Sequence, residues 1–480
     1  MAAWYTGSVS YTAVTAWAAL TAYNVGDLRR QLAAPAVGSE RVFRCTTAGT
    51  SGAAEPTWTT TKGSTTNDAT AVWTEVTGDA TYNWAAPHAR IANAISWGAA
   101  GDTYYVASDH AETDAAATTI TFKGTAASPD RCLSVNKAGS VPPVAADLSA
   151  GGSVTTTGNN GIVVLGVCYA YGITFNSGSG ASGTASISFS TGSSTDNFVL
   201  EAGAVNIATT GVSSRIILGA LAATVVKLKN CTVSFGSTSQ GFTLGPRGVI
   251  YSKPGSVFVT GATIPTTLFV ATGSSTSCFL EASGLDLSAS GAGTTLFGAA
   301  VSGAAGSIMK NCKLDASVTI AAAQTGGTRF GFDLIGCNST TNVARNERHR
   351  YQGTLTTETT IIRTGGASDG TTGYSWKVVT TANNERDFPF ECFEGAIWNS
   401  ATGSSKTLTI HTVTDNVTLT DAEIWLEVEY LGSSATPVAT LITDANATVL
   451  TTPANQTDDS GTTWTTTGLT TPVKQKLEVT

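Results

Sequence analysis

No tryptophan occurs between Trp97 and Trp376, although the chain carries ten and the intervening stretch stays rich in Val, Ile, Leu and Phe. A run that shuns the bulkiest side chain but keeps the medium ones implies a narrow, repetitive core whose layers admit only small or medium apolar residues. The same stretch is short of charge: residues 151–340 hold 14 Asp, Glu, Lys and Arg side chains in 190. Over the whole chain the charged share is 12%, against about 25% in a typical soluble protein. Thr and Ser hydroxyls must then cover the folded surface. Thr is β-branched and favours pleated strands, while Gly and Ser supply the turns between them. Disorder does not fit ten Trp and 41% apolar residues, because such a chain can bury a core. The expectation is an all-β protein of several domains, since 480 residues are too many for one ordinary core.

Short apolar pieces recur in the middle between Gly and Ser turns: Ile162-Val163-Val164-Leu165, Gly172-Ile173-Thr174-Phe175, Ile216-Ile217-Leu218 and Val225-Val226-Lys227-Leu228. Two further pieces are nearly one phrase, Lys229-Asn230-Cys231-Thr232-Val233 and Lys310-Asn311-Cys312-Lys313-Leu314, with a weaker echo at Ile335-Gly336-Cys337-Asn338. The phrase suits one rung of a right-handed parallel β-helix, with the apolar side chain inward, Asn in a tight turn and Cys in a small interior slot. The two strong copies lie 81 residues apart, which makes three or four rungs of roughly 20–27 residues each. Stacked at about 4.8 Å per rung, residues 100–340 would form a rod on the order of 50 Å long. A Greek-key sandwich is the competing arrangement. Gly101-Asp102-Thr103-Tyr104-Tyr105-Val106 resembles the phrase that opens phage and bacterial β-helices. Just before it, 87–95 is the best helix candidate, amphipathic and suited to cap the open end. Cap and β-helix together are expected over 81–345.

The first 80 residues read differently. Trp17 opens a W-x(5)-Y-x-x-G-D pattern through Tyr23, Gly26 and Asp27, followed by the strand Val42-Phe43-Arg44-Cys45, then Pro56, Trp58 and Trp73. This small aromatic β module resembles the chitin- and cellulose-binding modules appended to phage tail and spike proteins. The resemblance implies that Tyr23, Trp58 and Trp73 stack on sugar rings, the apolar ring face meeting the sugar C–H face. The competing role is the core of a small domain, which needs large side chains to bury enough area. Residues 352–480 return to plain alternation, as in Glu423-Ile424-Trp425-Leu426-Glu427-Val428-Glu429-Tyr430, with turns every 8–12 residues. That pattern points to a β-sandwich or jelly roll. Trp425 shares its strand face with glutamates, a placement that fits a subunit contact.

Net charge is −8 and basic clusters are scarce, so nucleic acid is not an expected partner. The one charged run, Arg345 to Arg350, reads as a solvated boundary between domains. No apolar run reaches the 18 residues of a membrane span, and the opening Met1-Ala2-Ala3-Trp4 lacks a secretion signal. Both point to assembly in a bacterial host cytoplasm. Eight cysteines without paired spacing read as reduced, buried apolar residues, not disulfides or metal ligands. No metal or cofactor motif appears: the four histidines are scattered and no phosphate loop is present.

Glycan hydrolysis is the main chemical alternative. It needs two carboxylates about 5–9.5 Å apart, and the middle offers Glu281, Asp286 and Asp315 as the candidates, spread out and without Arg or His beside them. Taken together, aromatic module, hydroxyl-rich rod and terminal sandwich resemble tailed-bacteriophage virion proteins of the fibre, spike or capsid-decoration type. The resemblance implies a non-enzymatic homotrimer located in the virion, attached to capsid or tail proteins and presenting an adhesive surface to solvent or host glycan. A depolymerising tailspike and a bacterial surface adhesin are the alternatives.

Overall fold

The computed structural model describes residues 2–180, 183–221, 223–252, 258–261, 263–270, 278–291, 293–298, 304–315, 317–321, 329–339, 344–351, 359–365, 374–380, 421–427, 439–443, 449–451, 461–467 and 475–479. The chain divides into two compact units, residues 1–362 with 377–383, and residues 363–376 with 384–480. The protein is mostly β, as the hydroxyl-rich composition predicts, and the strands of its largest sheets pair mainly in parallel.

The three largest sheets, of 15, eight and five strands, build the stack in the first unit. The chain visits them in rotation. Val167–Tyr171 lies in the long sheet, Thr174–Ser177 in the five-stranded sheet and Ile187–Phe189 in the eight-stranded sheet; Asn197–Glu201 then returns beside Val167–Tyr171 in parallel. Each such circuit pairs with the one before and the one after.

Register turns this pairing into continuous columns. In the long sheet Tyr104, Cys132, Ala170, Leu200, Leu228, Ile250, Ala282, Met309 and Leu334 are successive partners, and every one is buried. Alternate residues point outward, as strand geometry requires. The interior is shared by all three sheets: Phe175, Phe189 and Phe198, one from each, meet with ring centroids 5.1–6.4 Å apart. Medium side chains fill this core cluster, and among its described buried residues the only Trp, Trp4, belongs to the strand at the N-terminal end.

The repeated Lys-Asn-Cys phrase marks one place in the circuit. Asn230 and Asn311 follow a long-sheet strand, Gly336 lies within Arg329–Ser339, and the three take φ of 50°, 52° and 61°, the left-handed region that Asn and Gly tolerate best. Cys231, Cys312 and Cys337 then turn inward and are buried. Cys231 Sγ donates to the Leu200 carbonyl oxygen at 3.3 Å, and Cys337 Sγ to that of Met309 at 3.4 Å. Between the two strong copies the chain makes three circuits, with the intervening long-sheet strands at Gly248–Tyr251 and Cys278–Ser283.

The N-terminal end of the stack is closed by Ile91–Trp97, a helix whose Ile91, Ala94 and Ile95 join the core beside Tyr104. It starts later than the sequence pattern suggests, because the His88 backbone is held extended: its N–H donates to the Tyr5 carbonyl and its carbonyl accepts from Gly7 N–H. The first strand, Ala3–Thr6, lies in the long sheet beside Thr103–Ala107 and apart from the small aromatic module. Asp102 draws it there, accepting from Ala2 N at 2.6 Å and Trp4 Nε1 at 3.0 Å. The module itself is an antiparallel sheet of Leu28–Arg30, Val42–Thr47, Ala71–Glu75 and Thr65–Asp68. Glu40 binds Arg90 Nε at 2.8 Å, Arg90 also pairs with Asp114, and Arg41 lies over Trp97. The module is thereby fastened to the cap helix and the first circuit.

His88 sits inside this junction. It is fully buried, 5.0 Å from the Trp97 ring, and neither ring nitrogen has a hydrogen-bond partner among the described residues. Burial, with Arg41 and Lys62 nearby, pushes its pKa down to about 3. Below about pH 6.5 the unfolded chain therefore binds a proton that the folded chain refuses, so stability falls with pH from there towards pH 3. The expected loss is about 2 kcal/mol at pH 5 relative to neutral pH. Comparing denaturant midpoints of wild type and His88→Leu at both pH values isolates this component; an unchanged difference would refute it.

At the far end of the stack Arg329–Ser339 is followed by Ala344–Tyr351 in antiparallel pairing. The charged run from Arg345 to Arg350, expected at a domain boundary, is therefore strand. In the second unit Asp421–Glu427 pairs antiparallel with Gly461–Thr467, and Ala439–Thr443 pairs with Val449–Thr451 and Gln475–Val479. Trp425 is on the first of these strands, and its side chain lies outside the described residues.

Candidate functional site

The outward faces of the three sheets differ in chemistry, and this difference locates the candidate site. On the eight-stranded sheet the outward positions are Thr119, Val163, Leu165, Ser188, Ile217 and Thr243, without charge or aromatic ring. On the five-stranded sheet they carry a hydrogen-bonded ladder. Asn176 Nδ2 donates to Thr155 Oγ1 at 3.2 Å, Asn206 Nδ2 to Asn176 Oδ1 at 2.8 Å, and Ser234 Oγ to Asn206 Oδ1 at 2.8 Å.

Rings and charges gather on the long sheet. One outward row reads Tyr171, Glu201, Lys229, Tyr251, Ser283, Lys310, and its neighbour reads Arg131, Tyr169, Val199, Lys227, Val249, Glu281. Tyr169 donates its hydroxyl to Glu201 Oε2 at 3.1 Å. Burial and the Glu201 charge hold the Tyr169 phenol up at about 12, so it remains a donor at any physiological pH. Tyr251 is 46% exposed. Apart from Glu281 these residues escaped sequence reading, because they lie 20–40 positions apart and only the register assembles them. The signal that was present is parity: Tyr169 and Tyr171 alternate with buried Cys168 and Ala170, as Lys227 and Lys229 alternate with Val226 and Leu228.

The three carboxylates singled out for hydrolysis are each held in a different local setting. Glu281 is outward on the long sheet, between Val249 and Ile308 in register. Asp286 lies on a separate short strand, accepts from Ser288 N at 3.0 Å and faces Lys313 Nζ at 3.4 Å. Burial pushes the Asp286 carboxyl up, but the Ser288 hydrogen bonds and Lys313 outweigh it and hold it below its ordinary value. Asp315 accepts from the hydroxyl and backbone N–H of Ser317, and these bonds lower its pKa. A general acid for glycoside cleavage needs a raised pKa; Asp286 and Asp315 are shifted the other way.

The aromatic module places its rings inward. Tyr23 and Trp73 are buried in one cluster with Trp17, Phe43 and Cys45, Tyr23 meeting Trp73 edge-on at 4.8 Å. Neither presents a face to a sugar; both serve as core, as a small domain requires. Trp58 is half-buried, stacked on Phe43 at 4.1 Å, with its indole N–H given to Glu55 Oε1 at 2.8 Å. One ring out of three leaves at most a single partial platform there.

Among the described residues no group of three His, Cys, Asp or Glu side chains is arranged to hold a metal ion, and no helix is long and apolar enough to cross a membrane. Comparison with protein-family models, curated proteins and solved structures finds no match in any of the three.

Proposed function

We propose that this chain is a non-catalytic structural subunit of a tailed-bacteriophage particle, of fibre, spike or capsid-decoration type. In this reading the first unit is a right-handed parallel β-helix with a small anchoring module, and the second is a β-sandwich or jelly roll. The observation that carries it is the unbroken set of inward columns, beside carboxylates at Asp286 and Asp315 that are committed to local hydrogen bonds. Such a stack derives order from backbone ladders and buried small side chains, with little demand for surface charge. That is the composition a load-bearing rod can tolerate.

Association into a homotrimer fits the uncharged outward face of the eight-stranded sheet, which a neighbouring copy would cover. Partners are other copies of the chain, capsid or tail proteins, and a host surface glycan; the site is the virion. The decisive assay incubates purified protein with capsular polysaccharide and lipopolysaccharide of the host and follows chain length. The polymers should stay intact. Release of oligosaccharides would replace this reading with the depolymerising tailspike. Light scattering should return three times the 48.9 kDa chain mass.

A further inference from the structure

A local departure from the chain's overall character is a group of cations that form no ion pair among the described residues. Lys227 and Lys229 flank the inward Leu228 on one strand, so both side chains leave the long sheet on the same side, about 7 Å apart along it. Arg247, just before the next strand of that sheet, is exposed. In register Lys229 is followed by exposed Tyr251 and preceded by Glu201, beyond which lies Tyr171. Glu201 is the only acid adjoining these lysines in register, and it is engaged by the Tyr169 hydroxyl. Lys227, Lys229 and Arg247 form no ion pair among the described residues, whereas Arg90, Lys137 and Lys313 each do.

A net charge of −8 gives the molecule as a whole a field that repels polyanions, so three cations without an ion pair, near Tyr171 and Tyr251, stand against the background. Their chemistry matches a chain of sugars bearing carboxylates: ammonium and guanidinium groups for the acids, ring faces for the sugar C–H surfaces. We infer that the outward face of the long sheet around Lys227, Lys229, Arg247, Tyr251 and Tyr171 binds an acidic polysaccharide without cleaving it. This rests on the reading of the chain as an adhesive structural subunit and specifies the class of glycan.

The test uses the full chain, with polygalacturonate as the acidic polymer and dextran as the neutral one, by affinity electrophoresis and calorimetry at low and physiological salt. Polygalacturonate should bind, dextran should not, and added salt should weaken the interaction. Lys227→Glu/Lys229→Glu should lose roughly tenfold or more in affinity, and Tyr251→Ala roughly threefold to tenfold. Thr174→Glu/Thr232→Glu, which adds two carboxylates to the five-stranded sheet, should stay within about twofold of wild type. Circular-dichroism melts confirm that each variant is folded. No binding of polygalacturonate, equal binding of dextran, or equal loss in both double variants would each overturn the inference. Cleavage of the polymer in the same incubation would instead overturn the non-catalytic reading on which it rests.

Discussion

Phe198→Ala is expected to destabilise the first unit by about 3–5 kcal/mol, the range for emptying a large aromatic from a closed core. Phe198 has no solvent exposure and stacks on Phe189 at 5.1 Å, with Phe175 and Phe122 each at 6.4 Å. The cavity would open where all three sheets contribute rings, so no single sheet can collapse to fill it. Stacked circuits interact mainly with their neighbours, and amide-exchange protection should therefore fall most between about residues 164 and 229 and less beyond. Denaturant unfolding gives the size of the effect and exchange gives its location. A loss under about 1 kcal/mol would mean that these rings do not share an interior.

Asp68→Ala should unfold the aromatic module before the stack, at a cost of at least about 3 kcal/mol. One carboxylate oxygen of buried Asp68 accepts both indole N–H groups, from Trp17 at 2.7 Å and Trp73 at 3.1 Å, and the other accepts from Gly52 N at 2.8 Å. Alanine strands three donors, two of them on buried indoles, and each unsatisfied group costs about 1–3 kcal/mol. Asp68→Asn keeps one acceptor oxygen and should fall between wild type and alanine. An early tryptophan-fluorescence transition in Asp68→Ala, separate from the main one, is the expected signature. A single transition at the wild-type midpoint would show that the indoles do not depend on this carboxylate.

Local chemistry made much of the stack legible and left its surface hidden. The Lys-Asn-Cys phrase could be read because its three features are set within three residues: a strand end, a left-handed turn and a buried thiol. The helix before Gly101 was legible for the same reason, though not the His88 backbone hydrogen bonds to the Tyr5 carbonyl and from Gly7 N–H that delay its start. What could not be read was adjacency. Tyr171 and Lys229 are 58 positions apart and become near neighbours only through two circuits whose lengths vary with their loops. The module posed a different difficulty. Tyr23 and Trp73 have the ring chemistry of a sugar platform and of a small core alike, and only the pairing of Cys45 with Trp73 across the sheet settles which way the ring points.

Distances along the long sheet test the central claim most directly. Spin labels placed in pairs at the outward positions Tyr171 with Lys229, Tyr171 with Ser283 and Tyr171 with Lys310 are two, four and five circuits apart in register. Backbone separations of about 10, 19 and 24 Å are predicted, one strand spacing for each circuit. Separations that fail to grow in that order would contradict the stack, and with it the structural role built upon it.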